Sequence, residues 1–181
     1  MRNELTELEQ CVLGVIWRDG PMTAYQIAAL FSSSLSPYWS GSAGAIYPVV
    51  ARLRRRGLVK AAPRAWNGKR RMLLSASERG REVLREWIAP PLPPEAGAPS
   101  YDPVRTRLFF IDVLPPDQRA EVIDEAERVV RERLADVQKQ RREDLASGNT
   151  SEALGGLGAI YELQARLRWL RVVREQITQR D

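Results

Sequence analysis

Histidine is missing from this chain altogether. That absence removes Ser-His-Asp and Cys-His catalysis and most zinc and iron sites. Cysteine is nearly missing too, with Cys11 alone in 181 residues. One cysteine forms no intramolecular disulfide and no thiolate metal cluster. Cys11 lies in the apolar run "CVLGVIW" and reads as a small core residue. No glycine-rich phosphate loop is present. The carboxylates left for acid–base work, such as Asp112, Asp117 and Asp124, fall in helical patterns that read as solvated faces. The chain is therefore read as a non-enzyme without cofactor or metal. No apolar run approaches the roughly 18 residues of a membrane span. The start, "MRNELTELEQ", is acidic and polar, unlike a signal peptide, so a cytoplasmic location is expected.

Charge is present but unevenly placed. The chain carries a net +5. Residues 1–88 hold 14 basic against 7 acidic side chains, and residues 89–181 hold 14 against 16. A basic front half and a near-neutral back half point to a polyanion meeting only the front. Between the halves lies "APPLPPEAGAPS", residues 89–100, with five prolines. Proline at this density cannot continue a helix and favours extended chain. The expected organisation is a domain at 1–88, a Pro-rich linker at 89–100 and a second domain at 101–181.

The front half reads as three short helices, a hairpin and a fourth helix. Thr6 with Glu9 and Thr23 with Gln26 have capping-box spacing. Leu8, Val12, Val15 and Ile16 share one helical face, as do Tyr25, Ile27, Leu30 and Phe31. "SSSLSPYWSGS" reads as a loop. Residues 58–64 and 70–76 read as strands around "WNGK", whose Asn67-Gly68 suits a tight turn. Met72, Leu74 and Ala76 alternate with Leu73 and Ser75 as in a half-buried strand. A helix then starts at Ser75 or Ser77, with Val83, Leu84, Trp87 and Ile88 on its apolar side.

The stretch "SAGAIYPVVARLRRRGL", residues 42–58, carries the functional signal. On a helix over 44–56, Ile46, Val49, Val50 and Leu53 fall on one side and belong in a core. Gly44, Pro48, Ala51 and Arg55 lie opposite, with Tyr47 and Arg54 on one edge and Ala45 and Arg52 on the other. Gly57 follows as a natural C-cap. The outer face starts small and ends in cations. Its N-terminus is expected to offer free N–H groups to an anion, with Ser42 as a further donor. A DNA major groove admits one such helix. Arg52, Arg54 and Arg55 are then placed for phosphates. A helix-turn-helix followed by a hairpin is the layout of a winged helix. The basic hairpin tip at 67–71, with Lys69, Arg70 and Arg71, extends the patch for a duplex backbone.

The back half reads as all helix. Val104, Leu108 and Ile111 mark a short one closed by Pro115-Pro116. Asp117 opens a long one with Ile123, Ala126, Val130, Leu134 and Val137 along one stripe, broken by "SGNTS" at 147–151. The last carries Leu154, Leu157, Ile160, Leu163, Leu167, Leu170, Val173 and Ile177. Each long helix spans about 40 Å at 1.5 Å per residue. A seam this long meets another helix, in a homodimer or in an intrachain hairpin. Trp169, Tyr161, Phe109 and Phe110 are either core or the lining of an aromatic pocket. The fold class is mainly α with a small β-hairpin wing: a winged helix-turn-helix domain plus an all-helical dimerisation domain.

"GPMTAYQI" at 20–27, "GAIYPVVARLRRRGLV" at 44–59 and "SERGREVL" at 77–84 resemble the PadR-like transcriptional regulators. Ile46-Tyr47-Pro48 to Leu58 is the most specific part, and "YDPVRTRLFF" onward is similar to the longer helical C-terminal domain of one branch. The resemblance implies a homodimeric regulator, usually a repressor, on a partly palindromic DNA operator, with a small-molecule effector of unknown identity. It implies Ser42, Gly44, Tyr47 and Pro48 facing the operator, Arg52 on phosphate, and Lys69 and Arg70 at the wing. Ala24 and Gln26 stand where the family prefers Gly and Glu, and Leu74 and Ala76 where it has Tyr and Leu. The alternative from another class is a protein-interaction module on a winged-helix scaffold.

Overall fold

The computed structural model describes residues 5–66 and 69–178. The chain divides into two compact units between Ala98 and Pro99. In the first, α1 (Glu7–Asp19), α2 (Ala24–Ser32), α3 (Pro37–Gly41) and α4 (Ile46–Arg55) precede β1 (Val59–Trp66), β2 (Lys69–Ala76) and α5 (Glu78–Ile88). Capping starts α1 and α2 where the spacing predicts. The Thr6 hydroxyl accepts from Glu9 N–H and the Thr23 hydroxyl from Gln26 N–H, each answered by the return bond. The expected loop before α4 contains α3, too short to leave a period. Pro37 stands in its first turn, and Trp39 packs edge-on against Phe31 with ring centroids 5.8 Å apart.

One core joins these elements. Val12, Leu13, Ile16, Ile27, Ile46, Val49, Leu53, Leu58 and Leu74 are almost fully buried within it. At roughly 1.5–3 kcal/mol per large apolar side chain, this burial is the main force holding α4 in place. Several residues expected on apolar faces turn outward instead. Tyr25 and Leu30 of α2, Met72 of β2, and Trp87 and Ile88 of α5 are exposed, because these elements cover the core with one or two side chains per turn.

The strands pair antiparallel, Val59 with Ala76 through Trp66 with Lys69. The Asn67-Gly68 turn lies outside the described residues. Leu74 also bridges to Met22 ahead of α2, with N–H···O distances of 2.8 and 3.1 Å in the two directions. Of the two serines offered as helix cap, Ser77 serves. Its hydroxyl accepts from Gly80 N–H and donates to the Gly57 carbonyl at 2.7 Å. Gly80 is required there, since a Cβ would sit 2.3 Å from the Leu58 carbonyl oxygen.

In the second unit, α6 (Pro103–Leu108) leads to α7 (Pro116–Ala146) and α8 (Thr150–Thr178). Asp102 caps α6 through the Val104 and Arg105 N–H groups, and it pairs with Arg166 of α8 at 2.7 Å. The long helices form a hairpin turned at Gly148, whose φ is +80°. Ile123, Ala126 and Val130 of α7 meet Leu167 and Leu170 of α8. Arg174 reaches both Asp124 and Glu127 across the pair. Part of the apolar row expected along the last helix is thus used within the chain. Ile160, Leu167 and Leu170 are buried within one chain, and Leu163, Val173 and Ile177 pack at the edge of the same cluster. Leu154 is exposed. The aromatic residues divide: Trp169 packs on the cluster, whereas Phe109, Phe110 and Tyr161 are exposed and form no core.

Candidate nucleic-acid interface

The helix over 44–56 resolves into a single 3-10 turn, Ala43–Ala45, followed by α4. Ile46, Val49, Val50 and Leu53 point into the core, as their spacing requires. Gly44, Ala45, Tyr47, Pro48, Ala51, Arg54 and Arg55 are exposed. Pro48 sits in the first turn of α4, where a missing N–H costs little. Gly57, at φ +70°, ends the helix. Its N–H bonds to the Arg54 carbonyl, and that of Leu58 bonds to the Leu53 carbonyl.

The start of this helix is not the open anion site expected of it. The chain runs from α3 through the 3-10 turn almost without a break. The N–H groups of Ser42, Ala45 and Ile46 are already bonded to Trp39, Ser42 and Ala43. The Ser42 hydroxyl donates to the Tyr38 carbonyl at 2.7 Å, so its proton is spent inside the fold. What remains at this end is shape. Nothing lies within 4 Å of a Cβ built on Gly44, and Tyr47 is 55% exposed beside it.

The far end is cationic. Among the described residues neither Arg54 nor Arg55 meets a carboxylate. With Pro48, Ala51, Arg52, Val59 and Ala61 they line an open groove of about 710 Å3 between α4 and the root of the hairpin. Arg52 differs from its neighbours. Its Nε–H donates to Glu9 of α1 at 2.6 Å, so part of its guanidinium serves the scaffold and is not free for phosphate. Burial pushes the Glu9 carboxyl pKa upward. The Arg52 hydrogen bond, the Thr6 N–H and the charges of Arg52 and Arg56 outweigh this and hold it below the usual value.

The hairpin adds a second cationic element. Arg71 is exposed on β2, directly across from exposed Arg64 on β1. Like charges facing each other across strands cost stability unless an anion lies over them. Arg64 is the residue that sequence reading missed. Counting back from the Asn67-Gly68 turn places it opposite Arg71 and could have found it. The side chains of Lys69 and Arg70 lie outside the described residues, as do Asn67 and Gly68. Cys11 lies away from this chemistry, and burial, with Glu7 nearby, pushes its thiol up to about 11. It stays protonated at neutral pH.

Residues 12–86 match the Transcriptional regulator PadR-like family, and residues 102–178 match Virulence activator alpha C-term. Over residues 12–86 the chain belongs to the PadR-like family. It is accordingly a DNA-binding transcriptional regulator carrying the longer helical C-terminal region. Its fold is that of Bacillus subtilis PadR in complex with operator DNA, at 20% identity and TM-score 0.80, covering 95% of this chain and 99% of that one. The same protein in complex with p-coumaric acid matches at 20% identity and TM-score 0.76, covering 94% and 98%. The Vibrio cholerae virulence activator AphA matches at 20% identity and TM-score 0.72, covering 97% and 100%. No protein with a curated description matches significantly. Among the described residues, no helix is long and apolar enough to cross a membrane.

Proposed function

We propose that this PadR-like regulator is a cytoplasmic, homodimeric repressor that acts by binding a partly palindromic operator, without catalysis. The observation that carries the reading is the outer face of α4. It is small at Gly44 and Ala51, marked by exposed Tyr47 and Pro48, and ends in Arg54 and Arg55, which meet no carboxylate among the described residues. In this reading α4 enters a major groove, with Gly44, Tyr47 and Pro48 toward the base edges. Ser42 stands at the rim as an acceptor. Arg54, Arg55 and the wing cations, Arg64 through Arg71, take phosphates. The second unit joins two copies through the face of α8 that α7 leaves open, where Leu154, Tyr161 and Val172 are exposed. The two recognition helices then meet half-sites about one helical turn, ~34–36 Å, apart. A small-molecule effector of unidentified chemistry belongs to the reading, and B. subtilis PadR, crystallised in complex with p-coumaric acid, supports it.

The test is fluorescence anisotropy on the DNA upstream of the protein's own gene, against a scrambled duplex, at two salt concentrations. Tighter binding to the upstream duplex, weakening steeply with salt, is expected. Absence of binding to either duplex at low salt, with tight binding to a protein partner, would turn the reading to an interaction module.

A further inference from the structure

Glu9 is a buried carboxylate 43 residues ahead of Arg52 in sequence, yet it touches the recognition helix. It is only 5% exposed. Its two oxygens do different work. Oε2 accepts the Thr6 N–H at 2.9 Å and completes the capping box of α1. Oε1 accepts the Arg52 Nε–H at 2.6 Å, across 43 residues of sequence. The capping half of this arrangement does not need a charge. Thr23 and Gln26 build the same box with a neutral amide, at 2.8 and 3.2 Å. The charge on Glu9 is therefore accounted for by Arg52, with Arg56 adding its field.

The location makes this pair more than a packing detail. Arg52 lies between core-facing Leu53 and exposed Ala51, and it lines the groove beside Arg54 and Arg55. A free Arg there would be one more cation for any duplex. Counterion release rewards every such cation equally on all sequences, so it raises affinity without adding discrimination. A guanidinium anchored to a buried carboxylate is withdrawn from that role, and the same bond ties the C-terminal half of α4 to the first turn of α1.

We infer that Glu9 is a positioning residue for DNA recognition: it fixes α4 through Arg52 and restrains Arg52 from nonspecific phosphate contact. This rests on the DNA-binding reading above. It assigns Glu9 a sign that a purely structural residue would not have. Breaking the pair weakens discrimination while strengthening binding to random DNA.

Glu9→Gln isolates the charge, since glutamine preserves the cap. The full-length wild type is first used to select a duplex from a random pool. Wild type, Glu9→Gln, Arg52→Gln and the double variant are then titrated on the selected and a scrambled duplex over a salt series. For Glu9→Gln the scrambled duplex should bind about 3-fold tighter at low salt, with a salt slope steeper by about 0.9 per released arginine. The selected-to-scrambled affinity ratio should fall about 5-fold, the scale of one lost charge-assisted bond positioning the helix. The double variant removes both charges and strands neither, so it folds without an orphan ion. It should return scrambled binding and slope to wild-type values while the ratio stays low. Equal affinity ratios in wild type and Glu9→Gln, or weaker scrambled binding in Glu9→Gln, would overturn the inference alone. A wild type that enriches no duplex would overturn the DNA reading and this inference with it.

Discussion

Gly80→Ala tests how α5 is seated on the winged-helix core. The added Cβ would stand 2.3 Å from the Leu58 carbonyl oxygen and 3.3 Å from Leu13 Cδ1. The leucine methyl can rotate away, but the carbonyl is backbone and already accepts the Ser77 N–H at 2.9 Å. Ordinary contact begins near 3.4 Å, so α5 must retreat by about 1 Å. That retreat breaks the Ser77 N–H bond to Leu58 and the Ser77 hydroxyl bond to Gly57, now 2.7 Å. Two hydrogen bonds cost about 2 kcal/mol net. Loosened packing of Leu84, now 5% exposed, adds about 1–2 kcal/mol. Alanine returns about 1 kcal/mol through helix propensity. The net loss is about 2–3 kcal/mol. Urea unfolding followed by tryptophan fluorescence reads it well, because four of the five tryptophans, at 17, 39, 66 and 87, precede the second unit. At a slope of roughly 2 kcal/mol per M, the midpoint should fall by about 1 M. A midpoint equal to or above that of wild type would refute the close approach of α5 to Leu58.

Other substitutions separate folding from binding. Gly44→Ala meets no neighbouring atom, so its urea midpoint should stay at or slightly above wild type while anisotropy on a selected duplex weakens by about 10-fold, the cost of roughly 1.4 kcal/mol of lost approach; unchanged affinity would remove Gly44 from the interface. Arg55→Ala should weaken selected and scrambled duplexes alike, with a salt slope flatter by about one unit per lost phosphate contact. The Glu9 pKa is depressed in the folded state, so its contribution to stability is present above the ordinary carboxylate range and is lost as pH falls through the lowered value. Urea midpoints across the acid range should therefore drop less in Glu9→Gln than in wild type, and parallel curves would deny the ion pair. Paired lysines at Leu154 and Tyr161, both exposed, should convert a dimer to monomer by light scattering without loss of helical circular dichroism. A retained dimer would move the interface off this face of α8.

The winged-helix layout was legible because its signals are local. The capping pairs Thr6–Glu9 and Thr23–Gln26 and the inward row Ile46, Val49, Val50 and Leu53 lie within a helical turn or two. What escaped was short or nonlocal. α3 spans five residues, too few for a period to appear. Tyr25, Leu30 and Met72 satisfy an apolar pattern but face solvent, since periodicity names a face without saying how wide a strip the core covers. The expected anion site at the start of α4 failed for a related reason. Only the continuous run from α3 reveals that the N–H groups are already taken.

By itself, then, the sequence determined where the longer helices lie, which side of α4 is apolar and that its far end is cationic, for these depend on residue type at spacings of three and four. Tertiary structure alone decided which cations are free. Arg52, Arg54 and Arg55 carry the same charge, yet Arg52 is drawn to Glu9 of α1, whereas the other two meet no carboxylate among the described residues. It decided as well that Leu167 and Leu170 of α8 pack on α7 of the same chain. In both cases the partner lies tens of residues away, and its identity follows from how the elements pack rather than from any repeat along the chain.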